Sequence, residues 1–327
     1  MITNILAQTA PATVFEKEIL EGLRASPKYL PSKYFYDKTG DAIFQEIMKC
    51  EEYYPFACEM DIFQRWSTEM ATTIIQDGTD FDLIELGPGD CEKSINLLRQ
   101  LVWSGAEFTY NPIDISENVI NCLQTKLPQE IFGLNVRGLS REYLPGIKEV
   151  TKNSRRRKVV LFLGSNLGNM PPEEALIFCR KLRCHLKPGD VVFTGIDLKK
   201  YPATILAAYN DRKGITKRFN LNLLHRINRE LNGNIDTYAF EHFASYDPVS
   251  GACRSYLISR IEQQAALWCD GREQLIRFAC NEEIFMEISQ KYTVGDLDRL
   301  ARNAFFRPLH YFYDSRGWFV DAVWRAE

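Results

Sequence analysis

The sequence predicts an α/β fold in which a mostly parallel sheet is completed by a C-terminal antiparallel hairpin, with a second lobe beside it. Four short apolar runs have the composition of strands that are buried on both faces: 81–87, 108–115, 158–164 and 190–198. Helical periodicity separates these runs, which indicates βα units and parallel strands. Residues 309–324 read as two strands around a turn, which predicts a closing hairpin.

The remaining segments differ from this βα pattern. Residues 12–25 and 41–48 show apolar residues at helical spacing, which predicts two short helices near the N-terminus. After Pro202 the pattern is helical again, and β-like stretches follow at 253–262 and 271–279. We interpret the region after Pro202 as an insertion, since it does not continue the alternation of strands and helices.

Composition favours a globular enzyme with a small-molecule substrate. The 327 residues are 45% hydrophobic and 25% charged, and 40 Lys+Arg against 43 Asp+Glu leave a net charge of -3. A chain so close to neutral has no overall positive potential that would attract the phosphate backbone of a nucleic acid, and the one basic cluster, 155–158, is short. We therefore expect no nucleic-acid partner, and we expect a monomer.

Neither the N-terminus nor the cysteines point to export. Residues 1–8 lack a positively charged start and a long apolar run, and no stretch approaches the roughly 18 apolar residues of a membrane span. The nine cysteines show no C-x-x-C spacing, and Cys179, Cys184 and His185 lack a second ligand pair for zinc. We expect a cytoplasmic protein with no membrane partner, no disulfide framework and no metal.

A glycine turn follows the first predicted strand. Glu85-Leu-Gly-Pro-Gly-Asp90 lets the backbone approach a ligand at the carboxyl edge of the sheet. The dinucleotide fingerprint G-x-G-x-x-G would require a glycine where Glu92 stands, and the negative charge of this carboxylate would repel a pyrophosphate. S-adenosylmethionine (SAM) carries a sulfonium and no phosphate. Asp114, which ends the second strand, is placed to accept hydrogen bonds from a ribose diol.

A second small-residue turn, Gly164–Pro172, follows the third of these runs along the chain. Its small residues would likewise let the backbone approach a ligand closely at the carboxyl edge of the sheet. Its Asn169-Met-Pro-Pro partly matches the Asn-Pro-Pro-aromatic turn with which base-amino methyltransferases hold an exocyclic amine. The aromatic residue and a basic face are missing here, which disfavours a nucleic-acid base as substrate.

Several segments, in order along residues 15–320, resemble the histidine-specific SAM-dependent methyltransferases, among which the enzyme of the ergothioneine pathway trimethylates the α-amino group of histidine. The matching segments are YFYDKTGDAIFQEI, EEYYP, LIELGPGD, PIDISE, FLGSNLGN, KPGD, AAYNDRKGITKRFNLNLLHRINREL and MEISQKY. The resemblance implies a class I, Rossmann-like methyltransferase fold and SAM as methyl donor. It implies a SAM-binding core at 62–197 and 290–327, and a substrate-binding lobe at 1–61 and 198–289.

The resemblance also implies residue roles. The positions expected to bind SAM are Tyr36, Gly87, Lys93, Asp114 and Gly164. Those expected to bind the amino acid are Tyr53, Asn169, Tyr209, Glu287 and Ser289. In this assignment Glu287 and Ser289 hold the imidazole, because an ionised Glu accepts from a ring N–H and a Ser hydroxyl bonds the other ring nitrogen.

Tyr36 and Tyr53 are the candidate catalytic residues. Methyl transfer needs a neutral amine in line with the methyl group, so most of the rate is expected from positioning. The two rings would orient the amine and tolerate the positive charge of methylated products, a cation–π contribution of roughly 0.5 to 2 kcal/mol.

Two departures leave the substrate open. Relatives often have a Gly-Asp-Phe turn near the adenine, whereas this chain has Gly138-Leu-Ser-Arg-Glu142. Ser255 stands where the ergothioneine-pathway enzyme has a methionine lining the pocket. Fungal relatives methylate tryptophan-derived amines on the same scaffold, so tryptophan or a derived amine remains the alternative substrate.

Two other classes of protein fit the sequence less well. A non-catalytic SAM-binding protein would not need Asn169, Tyr209, Glu287 and Ser289 together. A nicotinamide dehydrogenase would need a proton-relaying residue, and the four histidines offer none: His185 and His225 fall in helical stretches, His242 in an expected helix and His310 in the terminal hairpin.

Overall fold

The computed structural model describes residues 13–78 and 80–327. The expected absence of a signal peptide at residues 1–8 therefore lies outside the described residues, as does the start of the first helix at residue 12. The contact pattern divides the chain into two compact units. One takes the described residues up to Tyr53 together with Tyr201–Ile288, and the other takes Tyr54–Lys200 together with Ser289–Glu327.

The unit built from Tyr54–Lys200 and Ser289–Glu327 contains the predicted parallel sheet. Its strands are β2 (Asp80–Leu86), β3 (Glu107–Asp114), β4 (Asn135–Val136), β5 (Leu139–Ser140), β6 (Arg157–Phe162), β7 (Val191–Asp197), β13 (Phe306–Tyr313) and β14 (Phe319–Ala326). Its helices are α3 (Tyr54–Ile75), α4 (Ile95–Trp103), α5 (Glu117–Glu130), α6 (Tyr143–Asn153), α7 (Pro172–Cys184) and α10 (Val294–Asn303), with a 3₁₀ turn at Asn166–Asn169.

The order of the strands is that of a doubly wound sheet with a hairpin at one edge. The order β13-β14-β7-β6-β2-β3-β4 places β2 in the interior, and β2, β3, β6 and β7 run parallel. The last hairpin is antiparallel to β7. Every residue of β7 is buried, as expected of a parallel strand covered on both faces, and Ile84, Val160, Ile196 and Trp324 belong to the core. The predicted strands and closing hairpin are confirmed.

The other unit contains a separate sheet. Its elements are α1 (Val14–Arg24), β1 (Lys28–Tyr29), α2 (Lys38–Met48), α8 (Pro202–Tyr209), α9 (Ile215–Glu230), β8 (Phe240–Asp247), β9 (Ala252–Ser259), β10 (Gln263–Cys269), β11 (Arg272–Phe278) and β12 (Glu283–Gln290), with 3₁₀ turns at Ser32–Phe35 and Thr237–Ala239. Strands pair in the order β1-β12-β9-β8, and β10 and β11 form a hairpin. The boundary between the two units falls within β12, between Ile288 and Ser289.

One local prediction is wrong. The sequence predicts His242 in a helix, but it lies on β8, whose burial alternates residue by residue from Phe240 to Ala244. That alternation is the period of a half-buried strand, and the antiparallel partner β9 supplies the pairing that the local pattern did not reveal.

Other features concern the whole described chain. The nine cysteines, all at described positions, are free thiols. Among the helices that the structure describes, none has the length and apolar character needed to cross a bilayer.

Candidate active site

Two glycine turns meet at the carboxyl ends of β2 and β6. Gly87 and Gly164 have φ of 65° and 72°, a region that favours glycine. A Cβ on Gly87 would lie 2.8 Å from the Tyr143 hydroxyl and 3.3 Å from Asn166 Nδ2, and one on Gly164 would lie 3.7 Å from the same Nδ2 and 3.6 Å from Lys93 Nζ. The two turns therefore share Asn166 as a neighbour, and Lys93 stands beside the second turn.

A buried carboxylate from α3 organises the second turn. Glu59 is fully buried, and its Oε1 and Oε2 accept from the backbone N–H of Gly164 at 2.8 and 3.0 Å. It also forms an ion pair with Lys93. Asp321 on β14 is buried nearby, and burial and then the charge of Glu59 raise the pKa of Asp321 well above its usual range.

Gly195 on β7 makes room for this carboxylate. A Cβ at Gly195 would lie 1.9 Å from Glu59 Oε1 and 3.0 Å from Asp321 Oδ1. The missing side chain on the strand therefore allows Glu59 to reach the N–H of Gly164.

Asp114 ends β3 directly beside the first glycine turn. The Gly87 N–H donates to the Ile113 carbonyl at 2.9 Å, which continues the β2–β3 pairing up to the turn. The Asp114 carboxylate accepts from the Ser116 N–H at 2.9 Å, and burial raises its pKa. Burial and then the charge of Asp114 raise the pKa of Tyr143, so the two side chains are electrostatic neighbours.

Glu85, one residue earlier than the end of β2, is a second buried acid at this edge. Burial raises its pKa to about 7, and the Tyr110 hydroxyl donates to its Oε2 at 2.6 Å. At neutral pH this carboxyl is therefore partly protonated, unlike an ordinary glutamate.

The turn that carries Asn169 packs against the end of β12. A Cβ on Gly168 would lie 2.8 Å from the Gln290 carbonyl oxygen, so only a glycine lets the two backbones approach this closely. Asn169 is exposed and Ser289 is buried. The structure thus brings two of the predicted substrate residues, Asn169 and Ser289, to adjoining segments.

A buried charge network lies behind Ser289. Asp197, at the end of β7, forms an ion pair with Lys291 at 2.7 Å and another with Lys200. The Tyr54 hydroxyl donates to Asp197 Oδ2 at 2.8 Å. Lys291 Nζ donates to Ser289 Oγ at 2.8 Å. The side chain of Ser289 is therefore linked to Asp197 through one lysine.

Three predicted tyrosines form an aromatic row in the other unit. Tyr36 contacts Phe44 with ring centroids 5.6 Å apart, Phe44 contacts Tyr53 at 6.4 Å, and Tyr53 contacts Tyr209 at 6.2 Å, all close to edge-to-face. Tyr36 is the most exposed of the three, at 42%, whereas Tyr209 is nearly buried. The row brings together the two candidate catalytic residues and one predicted substrate residue.

Polar contacts hold the ends of this row in place. Asp37 accepts from the Gly40 N–H at 2.7 Å, from Asn222 at 2.9 Å and from Arg229 at 2.6 Å, which fixes the backbone next to Tyr36. His242 Nε2 donates to the carbonyl of Tyr209 at 2.9 Å. The tyrosine positions are therefore set by side chains far away in sequence.

Glu287 lies on β12 two residues before Ser289, so their side chains leave the same face of the strand. Glu287 is half-buried. Ser255, on neighbouring β9, is 1% exposed.

Some residues of this region were not predicted from the sequence. Glu59 and Asp197 lie outside the matching segments, and only the acid ending a strand at Asp197 offered a signal. Lys291 lies within the matching segment MEISQKY, but the resemblance implied no role for it. In residues 13–78 and 80–327 there is no group of three or more His, Cys, Asp or Glu side chains that could hold a metal ion.

The sheet order, the paired glycine turns and the acid ending the next strand define a class I SAM-dependent methyltransferase. Gly87 and Gly164 leave the two turns without side chains, Lys93 provides a cation and Asp114 a carboxylate, and these groups fit SAM. The chain belongs to the histidine-specific, SAM-dependent methyltransferase family, whose model matches residues 15–326.

Two relatives match over most of the chain, and a third matches over a shorter part of it. Histidine N-alpha-methyltransferase of Mycolicibacterium smegmatis is 31% identical over 316 residues, which cover 97% of this chain and 96% of the relative. The enzyme of the same name from Mycobacterium tuberculosis is 31% identical over 301 residues, 89% of this chain and 88% of the relative. A 4-dimethylallyltryptophan N-methyltransferase of Claviceps fusiformis is 27% identical over 201 residues, 59% of this chain and 56% of the relative.

Proposed function

We propose that this enzyme transfers methyl groups from SAM to the α-amino group of L-histidine, up to the trimethylated product. The observation that carries the proposal is the pairing of Glu287 and Ser289 on one face of β12. A carboxylate that accepts from one ring nitrogen and a hydroxyl that bonds the other match an imidazole. The names of the mycobacterial relatives support the same substrate.

SAM supplies an electrophilic methyl group on its sulfonium. In this proposal Asp114 holds the ribose, and Gly87, Gly164 and Lys93 accommodate the amino-acid end of the donor. Glu59 keeps Lys93 and the Gly164 N–H in one arrangement, because it binds both from a buried position. The protein thereby presents a preformed site, and positioning carries most of the rate.

The amino acid is proposed to bind through four further residues. Asn169 and Tyr209 hold its α-amino and carboxylate groups, and Tyr53 and Tyr36 orient the amine. The amine must be neutral to attack, so its proton leaves to water or to a nearby acceptor before each transfer. The electron-rich faces of the two tyrosines tolerate the cation that accumulates with successive methylations, by roughly 0.5 to 2 kcal/mol.

The proposal is tested by mass spectrometry of reactions containing SAM and an equimolar mixture of the twenty amino acids. Histidine should gain 42 mass units. Glu287→Ala should raise KM for histidine about tenfold or more, since a charge-assisted hydrogen bond is lost. Glu283→Ala, an exposed position on the same strand, serves as the matched control and should leave KM unchanged. Unmodified histidine beside another methylated amino acid would overturn the proposal.

The alternative substrate is another aromatic amino acid such as tryptophan, or an amine derived from it. It is favoured by Ser255, a small buried residue on the strand next to β12, and by the fungal tryptophan-derivative methyltransferases among the relatives. The same mixture separates the two, because tryptophan would then gain mass in place of histidine.

We further propose that the protein acts as a monomer in the cytosol. The nine free thiols of the described residues suit a reducing compartment. Light scattering coupled to gel filtration tests the first part: a single peak near 37.8 kDa is expected, and a peak of twice that mass would contradict it.

A further inference from the structure

Lys291 is a fully buried cation, and it is not needed to neutralise Asp197, which has another cationic partner. Both side chains have an exposure of 0%. Asp197 already forms an ion pair with Lys200 and accepts a hydrogen bond from Tyr54. Since burying an ammonium is costly unless it is paired and hydrogen-bonded, a second lysine on one carboxylate calls for an additional role.

Lys291 also contacts Ser289. Its Nζ lies 2.8 Å from Ser289 Oγ. A lysine ammonium has three donors and no acceptor, so the serine oxygen accepts this bond. The single hydrogen of the Ser289 hydroxyl is therefore directed away from Lys291.

This polarity bears on which form of an imidazole Ser289 can contact. A hydroxyl held as a donor matches a ring nitrogen that carries no proton, while Glu287, an acceptor, matches the ring nitrogen that carries one. An imidazolium has two N–H donors, so it would leave the Ser289 hydroxyl facing another donor. The positive charge of Lys291 disfavours the imidazolium further.

We propose that Lys291 is a positioning residue that holds Ser289 as a hydrogen-bond donor, so that the enzyme selects the neutral imidazole of its substrate over the imidazolium. The inference rests on the proposed function, because it takes histidine as the substrate and Ser289 as its contact. It adds a residue that sets the protonation state that is recognised.

Charged and polar groups of several elements lie around Lys291. They include Asp197 of β7, Lys200 immediately after β7, Tyr54 of α3 and Ser289 itself. Burial lowers the pKa of Lys200, and Asp197 counteracts this shift. The imidazole of free histidine, by contrast, titrates near a pKa of about 6.5.

The test is a double-mutant cycle in kcat/KM for histidine, measured between pH 5.5 and 8.5. The variants are Lys291→Met, Ser289→Ala and the combination. We expect Lys291→Met to lower kcat/KM about tenfold at pH 8, the size of one hydrogen bond's loss. The ratio of the wild-type kcat/KM to that of the variant should approach about 1 at pH 5.5, because most of the substrate is then an imidazolium, which the variant tolerates. Protonation of the α-amine cancels in this ratio.

Coupling to Ser289 is the readout that a merely structural lysine would not give. In the Ser289→Ala background, Lys291→Met should change kcat/KM less than about twofold at any pH. Lys200→Met is the matched control, because it removes the other cation on Asp197, and its ratio to wild type should not vary with pH. SAM affinity, measured by calorimetry, checks that each variant is folded.

A pH-independent ratio for Lys291→Met, or the same loss in both backgrounds, would overturn the inference while histidine methylation by the wild type stands. An absence of histidine methylation by the wild type would instead remove the proposed function. If Lys291→Met does not fold, Lys291→Gln keeps a donor without the charge, and it should keep the loss at pH 8 below about threefold while flattening the acid limb.

Discussion

Gly195 offers a sharp test of how the SAM side of the site is organised. We predict that Gly195→Ala destabilises the protein and weakens SAM binding. The added Cβ would lie 1.9 Å from Glu59 Oε1, well under the 3.0 Å below which such contacts essentially do not occur. The carboxylate must therefore retreat by about 1 Å, and it is fully buried among packed atoms.

The magnitude follows from the bonds that the retreat weakens. Glu59 accepts from Gly164 N–H at 2.8 and 3.0 Å and pairs with Lys93. Bonds to a charged group contribute about 1.5 to 3 kcal/mol each, so we expect the free energy of unfolding to fall by about 3 kcal/mol. The Kd for SAM should rise about tenfold, because the Gly164 turn and Lys93 lose their common anchor.

The assays are urea denaturation and calorimetric titration with SAM. Gly295→Ala in α10 is the matched control, since its Cβ would meet nothing closer than 3.7 Å, and we expect unfolding free energy within about 1 kcal/mol of the wild type. In a Glu59→Ala background the Gly195→Ala cost should fall below about 1 kcal/mol, because the methyl group then has space. Equal costs in both backgrounds, or no cost in the wild type, would refute the reasoning.

Three further predictions concern other groups of the site. Glu85 is protonated more readily when folded, since its pKa is about 7 against 4.5, so its contribution to the free energy of unfolding falls as pH rises from 4.5 to 7, by up to about 3 kcal/mol. Urea denaturation at pH 5 and pH 8 should show a smaller fall for Glu85→Gln, and an equal fall would contradict the assignment. Asp114→Ala should raise the Kd for SAM at least tenfold by calorimetry, and an unchanged Kd would exclude the ribose contact. Tyr53→Ala should lower kcat for histidine methylation at least tenfold with SAM affinity unchanged, and full activity would remove Tyr53 from the catalytic residues.

Local patterns were sufficient for the four longer parallel strands of the sheet. The apolar runs became β2, β3, β6 and β7, because a strand covered on both faces is apolar throughout and a glycine or an acid marks its end. The sheet of the other unit was harder to predict. β1 has two residues, and it pairs with Ile284 and Phe285 some 256 positions later, a pairing that no local period contains.

The site residues also divide into those that a local pattern marks and those that only contacts between distant positions reveal. Gly87, Lys93, Asp114 and Gly164 sit in or beside turns that a motif describes, and the family resemblance carried their roles. Glu59, by contrast, is one acid within a 22-residue helix, and its partners Gly164 and Lys93 are 105 and 34 positions away. Lys291 lies in the matching segment MEISQKY, but its role is recognisable only from the network around Asp197. Residues that position others through tertiary contacts leave no periodic signal.

Fragmentation of the histidine product by tandem mass spectrometry tests the central claim most directly. An imidazole held by Glu287 and Ser289 leaves the α-nitrogen as the methyl acceptor. We therefore predict that all added methyl groups, up to 42 mass units, remain on fragments that contain the α-nitrogen, with the ring unmodified. A methyl group on an imidazole nitrogen would contradict the account, because the ring would then have occupied the position assigned to the amine.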